Sequence, residues 1–156
     1  MDTENPLIRS GLVLAGAQVF GLPGADLRTG DGVLTALEAG DLDLTGTRLV
    51  VLSACETAVG ELRAGDGVQG LRRTLAIAGA ETIVTSLWKV DDAATRDLVV
   101  RAYGALRAGV GRTEAFRQAQ LQALAAPATK HPHYWAAFVV AGQHGPAAKD
   151  TFGAGK

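Results

Sequence analysis

The sequence predicts an α/β domain built on a mainly parallel sheet, and two observations lead to that class. Short runs rich in valine, isoleucine and leucine, RLVVLS at residues 48–53 and TIVTSL at residues 82–87, are typical of strands buried on both faces. Apolar residues recur at helical spacing in the segments that separate such runs. Strands that alternate with helices favour parallel pairing.

Composition agrees with one folded domain. The chain has 156 residues, of which 47% are apolar and 20% charged, and its formal net charge is −1. The apolar content excludes intrinsic disorder, and the near-neutral charge predicts neither nucleic acid nor an anionic membrane as a partner. A single cysteine excludes an internal disulfide framework and a multi-cysteine zinc site. It fits the reducing cytoplasm, which is the expected location.

The first elements are short. Residues 11–15 (GLVLA) predict a strand or turn. Asp31 is predicted to cap a helix that ends near Gly40 and carries the apolar residues Val33, Leu34 and Leu37. Residues 48–53 follow as a buried strand.

The second half of the chain repeats the strand and helix pattern. A helix is predicted to end at Gly79, a strand covers residues 82–87, and the Asp91-Asp92 pair opens the next helix. Another helix is predicted over residues 113–126, with an apolar face of Phe116, Ala119, Ala123 and Leu124. Residues 134–141 (YWAAFVVA) predict the last strand, and residues 145–156 a frayed tail.

Cys55 is the residue type best suited to covalent chemistry, and it comes just after the predicted strand 48–53. The carboxyl ends of parallel strands present reactive groups to solvent, where a thiolate can attack a carbonyl. The alternative is an inert, buried thiol. A nucleophilic cysteine needs a histidine, and the candidates are His131, His133 and His144. All three are interpreted as solvated loop residues, and His131 and His133 have no accompanying carboxylate or cysteine cluster to bind metal.

Two further motifs have alternative interpretations. Residues 65–70 (GDGVQG) match the glycine pattern of dinucleotide sites, but they follow the nearest predicted strand too distantly, so a loop leading into a helix is the simpler interpretation. The segment 88–92 (WKVDD) follows a strand end and either lines the same cleft as Cys55 or forms only a helix N-terminus with a half-buried Trp88.

Several segments together resemble the CHAT domains, a family of caspase-like cysteine peptidases related to separase and often attached to tetratricopeptide repeats. The segments are LVVLSACETA (49–58), GDGVQGLRRTLAIAGAETIVTSLWKVDD (65–92) and HYWAAFVVAGQ (133–143), preceded by NPLIRSGL (5–12). Their order covers residues 5–143. The resemblance implies a caspase-like three-layer α/β/α sandwich with a mainly parallel sheet that lacks its N-terminal strands. It makes residues 1–144 the C-terminal part of a CHAT domain and residues 145–156 a tail.

The resemblance also implies the catalytic residues. The nucleophile is Cys55, and the general base is a histidine of a Thr-His-Gly-like segment that would lie upstream of Asn5. The chain is therefore expected to hold the nucleophile without its base, and to be inactive alone. It would be a truncated product, one piece of a processed enzyme, or an inactive derivative kept for binding; a start at Met1 favours truncation or independent initiation.

Substrate-binding residues are expected at Ser53, Ala54, Glu56, Asp66, Trp88, Asp91 and Asp92. The three aspartates favour a basic side chain by charge pairing, although Asp91 and Asp92 also suit a simple helix cap. The expected partners are a protein or peptide substrate and the missing N-terminal part of the domain or a repeat domain. No cofactor and no metal is expected. The alternatives are a non-catalytic assembly module derived from a CHAT domain and a nucleotide-binding domain based on residues 65–70.

Overall fold

The computed structural model describes residues 7, 10–14, 17, 31–53 and 66–146. The chain divides into two compact units, residues 1–45 with 56–79 and residues 46–55 with 80–156. Five strands and four α-helices occur in the described ranges, so the α/β class is confirmed. None of the helices in these ranges is both long enough and apolar enough to cross a membrane.

The first unit contains a two-stranded antiparallel sheet and two helices. Strand β1 (Gly11–Val13) pairs with β2 (Val33–Thr35), which confirms a strand at the start of the 11–15 run. Helix α1 (Ala36–Ala39) follows β2 directly, and α2 (Asp66–Ile77) is the long helix of the unit. Their buried side chains include Ala36, Ala39, Leu71 and Leu75.

The predicted helix cap at Asp31 is wrong. Thr35 caps α1: its hydroxyl accepts from the Glu38 backbone N–H, and the Glu38 carboxylate accepts from the Thr35 N–H at 2.8 Å. This reciprocal capping box satisfies two backbone donors that Asp31 cannot reach. Asp31 instead accepts from the N–H of Val33 at 2.9 Å, a local turn that leads into β2.

Helix α2 confirms the helix predicted before Gly79, which has φ of +112° and ends the helical segment. Gly67 and Gly70 of the GDGVQG motif lie within this helix. A dinucleotide fingerprint needs its glycines in the loop between a strand and a helix. The motif therefore lacks the backbone context of a phosphate site.

The second unit contains a three-stranded sheet in the order β3-β4-β5. Strand β4 (Thr82–Ser86) is buried at every residue, as predicted. Strand β3 (Val50–Leu52) is only half-buried, contrary to the prediction of burial on both faces. The reason is its position: within the described ranges β3 pairs only with β4 and so forms an edge of the sheet.

The sheet is mixed rather than mainly parallel. β3 and β4 are parallel, but β5 (Phe138–Gly142) runs antiparallel to β4. The cause is the pair of consecutive helices α3 (Asp92–Arg107) and α4 (Arg112–Ala125) between them. One crossover helix returns the chain to the amino end of the sheet, whereas two successive helices bring it back to the carboxyl end, where β5 starts.

The last strand also starts later than predicted. Residues 132–134 form a 3₁₀ turn, in which the N–H groups of Trp135 and Ala136 both donate to the carbonyl of Pro132. These local bonds occupy donors that a strand would need for its ladder. The strand therefore begins at Phe138.

The core of the second unit lies between the sheet and the two helices. Val84, Phe138 and Phe116 are each buried to 4% exposure or less and belong to one cluster with Leu98 and Leu106. The predicted apolar face of α4 is confirmed at Phe116, Ala119 and Ala123 but not at Leu124, which is 38% exposed. α3 and α4 thus support the sheet from one side.

Gly142 ends β5 with φ of +105°, and a Cβ built there would lie 2.2 Å from the Glu81 carbonyl oxygen. We expect Gly142→Ala to lower the free energy of unfolding by about 2–5 kcal/mol, since it adds a backbone clash to a left-handed φ. The matched control is Gly109→Ala, at φ of +85° with nothing within 4 Å. It should cost about 1–2 kcal/mol. Equal losses by urea denaturation would contradict the clash.

Candidate functional site

The ends of β3 and β4 and the start of β5 lie at one edge of the sheet in the second unit, which we call the carboxyl edge. Because β3 and β4 are parallel, with Leu52 opposite Thr85, both strands end there. β5 begins at the same edge, with Phe138 opposite Ser86. Ser53 directly after β3, the loop after β4 and the turn before β5 therefore lie along the same edge.

The segment after β3 contains the predicted nucleophile. Ser53 directly follows β3 and is exposed. Ala54, Cys55 and Glu56 lie outside the described residues, so their predicted roles stay predictions. The parallel pairing of β3 with β4 nevertheless places the last described residue before Cys55 at the carboxyl edge.

The loop after β4, residues 87–91, is tied to the segment before β5. The N–H of Leu87 donates to the Ala137 carbonyl at 3.0 Å, which extends the β4–β5 ladder by one bond. The indole Nε1–H of Trp88 donates to the His133 carbonyl at 3.1 Å. Trp88 remains 36% exposed, so its polar edge is bonded while part of its ring faces solvent.

The aspartates have different positions. Asp91 is the N-cap of α3, where its carboxylate accepts from the Ala94 N–H at 2.9 Å, which confirms the cap interpretation for this residue. Asp92 is the first residue of α3 and is exposed. Asp66 begins α2 in the first unit, and its side chain lies outside the described ones.

Because the N-cap bond satisfies an otherwise unpaired helix donor, Asp91→Ala should lower the free energy of unfolding by about 1 kcal/mol. Asp91→Asn keeps the accepting oxygen and should retain most of the stability. Thermal denaturation of both variants measures the difference. Equal losses in the two would mean that the charge of Asp91, not its cap, supports the helix.

The three histidines are exposed, as predicted, but they lie at opposite edges. His144 follows the end of β5 and its Nδ1 is 2.7 Å from the hydroxyl of Thr113, so the five residues of β5 separate it from the carboxyl edge, roughly 14 Å along the strand. His131 and His133 precede β5. The Nδ1 of His131 accepts from the His133 N–H at 3.2 Å.

Three polar residues near this edge were missed by the sequence analysis. The hydroxyls of Thr85 and Ser86 are buried at the end of β4 and have no hydrogen-bond partner within the described part of the chain. A buried unpaired hydroxyl costs about 1–3 kcal/mol, so two in succession mark this strand end as unusual. Gln120 of α4 donates to the carbonyls of Trp135 and Phe138. The sequence TIVTS (82–86) does show two polar residues at the end of a buried run, which could have indicated Thr85 and Ser86. A glutamine in a helix, such as Gln120, has no comparable sequence pattern.

A search of residues 7–17, 31–53 and 66–146, as far as the structure describes them, finds no group of three or more histidine, cysteine or acidic side chains that could hold a metal ion. The histidine pair at positions 131 and 133 is not such a group. The Nδ1 of His131, which would be a metal ligand in such a pair, already accepts a hydrogen bond from the backbone N–H of His133.

Comparison with known proteins identifies the family. The model of the CHAT domain matches residues 2–143. The chain is 34% identical over 110 residues to tetratricopeptide repeat protein 28 of Mus musculus and, equally, to tetratricopeptide repeat protein 28 of Homo sapiens. These alignments cover 70% of this chain but only 4% of either relative. The family that the order of the segments predicted is thus confirmed.

Proposed function

Since the chain belongs to the CHAT domain family, we propose that it carries the nucleophile of a caspase-like cysteine peptidase, and that Cys55 is that nucleophile. The observation that carries this proposal is the position of the segment SACET (53–57). It begins at the carboxyl edge, immediately after a strand that is parallel to its neighbour. Reactive groups in α/β sheets are characteristically held at such strand ends.

The proposed reaction is acyl transfer. A general base takes the Cys55 thiol proton, Sγ forms a bond to the peptide carbonyl carbon, and the backbone N–H of Cys55 stabilises the resulting oxyanion. The C–N bond then breaks, and the base returns its proton to the leaving amine. Water hydrolyses the thioester, which releases the acid and restores the thiol. No metal or cofactor enters these steps.

The general base in this proposal is the family's Thr-His-Gly histidine, not a histidine of this sequence. The residues before Asn5 contain no histidine. His144 lies at the other end of β5, and the Nδ1 of His131 accepts a backbone N–H. A positioned base typically contributes about 10²–10⁴-fold to such a reaction, so the 156-residue polypeptide alone should have no detectable peptidase activity.

The substrate is proposed to lie along the carboxyl edge. Ser53, Ala54 and Glu56 flank the nucleophile, and Trp88 offers a half-exposed aromatic face on the adjacent loop. Asp92 is exposed at the start of α3, and with Trp88 it favours a basic substrate side chain through charge pairing and contact with the indole. Asp91 contributes through its second carboxylate oxygen only, because the first caps α3. The role of Asp66 stays a prediction from the resemblance, because its side chain lies outside the described ones.

The proposed architecture is the caspase-like α/β/α sandwich, completed by strands that precede residue 5 in the family. Within the described ranges β3 is an edge strand of uncharged, half-buried residues, Val50–Leu52. Unprotected apolar edges invite pairing, and an additional strand beside β3 would bury it. The cytoplasm is the proposed location, since the single cysteine must stay reduced to act.

The position of β3 as an edge strand among the described residues favours a second function, a non-catalytic module that assembles through β3. In that case the chain should form a defined complex with itself or with a repeat domain. Light scattering after size exclusion tests this function: a strict monomer argues against assembly through β3, which pairs only with β4 among the described residues.

The test of the peptidase proposal is labelling of Cys55 by a thiol-reactive peptide with a basic side chain, with and without a Thr-His-Gly-containing segment added upstream. Labelling that requires the segment supports the proposal. Cysteine labelling at the rate of a free thiol in both cases would overturn it.

A further inference from the structure

We propose that residues 130–136, the turn before β5, position the Trp88 indole in the substrate site. The inference rests on the proposed function, in which Trp88 forms a wall of that site. The contact that carries it is the bond from Trp88 Nε1–H to the carbonyl of His133, 45 positions away in sequence. A loop that follows β4 thus takes its side-chain orientation from a segment that precedes β5.

Trp88 depends on this bond because its own loop supplies no other polar contact to the ring within the described residues. The indole N–H is its only donor, and 36% of the residue is exposed. An indole held only by apolar contact could rotate between rotamers. A single bond at 3.1 Å to a fixed carbonyl selects one of them.

The accepting carbonyl is fixed by the turn itself. His131 Nδ1 accepts from the His133 N–H at 3.2 Å and thereby caps the 3₁₀ turn. The Tyr134 N–H donates to the His131 carbonyl at 3.1 Å, and Trp135 Nε1–H donates to the carbonyl of Lys130 at 3.3 Å. The peptide that carries the His133 carbonyl is therefore bonded on both sides.

A hydrogen bond from helix α4 connects residues 130–136 to the core of the unit. Gln120 Nε2 donates to the Trp135 carbonyl at 3.1 Å and to the Phe138 carbonyl at 3.0 Å. Gln120 belongs to α4, which buries Phe116 and Ala119 against the sheet. A continuous path of bonds joins the buried helix to the exposed indole.

This path gives the two histidines a role different from that of a base. His131 acts through Nδ1 as a turn cap, and His133 acts through its backbone carbonyl. Both are positioning residues in the sense that they act through Trp88. Neither imidazole is required to touch the substrate.

The test compares His131→Ala with His131→Asn, because asparagine keeps a side-chain acceptor for the His133 N–H. The chain contains two tryptophans, so its ¹H–¹⁵N spectrum has two indole signals, which Trp135→Phe assigns. Loss of one net hydrogen bond should speed hydrogen exchange at the Trp88 indole roughly fivefold in His131→Ala. In His131→Asn the rate should stay within about twofold. The buried Val84 amide measures any accompanying loss of global stability, and the acceleration at Trp88 in His131→Ala should exceed the acceleration at Val84.

Equal Trp88 exchange in the wild type and His131→Ala, or equal acceleration in both variants and at Val84, would overturn the proposal. If His131→Ala does not fold, Gln120→Leu tests the same path from α4, with the same expected acceleration at Trp88. The second arm is Cys55 labelling by the peptide probe in the protein extended by the Thr-His-Gly-containing segment: Trp88→Phe and His131→Ala should slow it by a similar factor, relative to labelling by iodoacetamide. If the peptide never labels Cys55 in the protein extended by the Thr-His-Gly-containing segment, the proposed function fails, while the exchange rates still decide the positioning role.

Discussion

Replacing Glu81 by alanine should lower the free energy of unfolding by about 3–5 kcal/mol, because it leaves a buried charge without its partner. Arg112 is 2% exposed, and its Nη2 donates to the Glu81 carboxylate at 2.6 Å. Its remaining bond, from Nη1, goes to the hydroxyl of Thr82 at 3.1 Å. The Nε of Arg112 has no partner within the described residues, so nothing there compensates for the loss.

The double variant Glu81→Ala with Arg112→Leu distinguishes the free-energy cost of an unpaired buried charge from the net contribution of the ion pair to stability. Removal of both charges should recover much of the loss, since apolar replacement of a buried ion pair is often neutral. Urea denaturation of the single and double variants measures this. If the double variant is as unstable as the single one, burial of an unpaired guanidinium is not the cause.

The exposed pair Glu114 and Arg117 is the matched control, with the same 2.6 Å separation but side chains 42% and 59% exposed. Glu114→Ala should have a far smaller effect, because solvent screens the charges. Hydrogen bonds from Arg117 and then Gln118 lower the pKa of Glu114 to about 2. A lowered folded-state pKa means that this contribution is present above the ordinary value of 4.5 and is lost as pH falls towards 2. The difference between wild type and variant should therefore vanish near pH 2.

Cys55→Ser should abolish peptide cleavage by the chain when a Thr-His-Gly-containing segment is supplied, with a loss of at least about 10³-fold. Serine has no low-pKa thiolate and is a far weaker nucleophile with the same base. Turnover of a peptide with a basic residue on the acyl side of the cleaved bond measures this.

Two of the three histidines of the chain provide the controls for that variant. His144→Ala should retain full turnover, because His144 lies at the far end of β5 beside Thr113. His133→Ala keeps the backbone carbonyl that accepts from Trp88 and should also retain turnover. A loss in either variant as large as that in Cys55→Ser would identify that histidine as the base.

Elements with strong local signals were predictable from the sequence. The buried run at β4 and the Asp91 cap of α3 rest on residues within a few positions of one another. The Thr35 cap had an equally local signal, a glutamate three residues later, which the choice of Asp31 overlooked. The segment order also predicted the family.

Features set by tertiary structure were not predictable in the same way. The direction of β5 depends on the two helices that precede it, and the half-burial of β3 depends on its having β4 as its one partner strand among the described residues. The bond between Trp88 and His133 joins residues 45 positions apart through a backbone atom, which leaves no side-chain pattern. The buried pair of Arg112 and Glu81 likewise joins residues that are 31 positions apart.

The central claim is that Cys55 is a nucleophile whose base is not one of this chain's own histidines. It is tested most directly by mass-spectrometric labelling with the basic peptide probe, comparing the 156-residue polypeptide with the same chain preceded by a Thr-His-Gly-containing segment. We predict peptide-dependent modification of Cys55 only in the extended protein. Cys55-dependent cleavage or labelling of equal rate in the 156-residue polypeptide alone would contradict the claim.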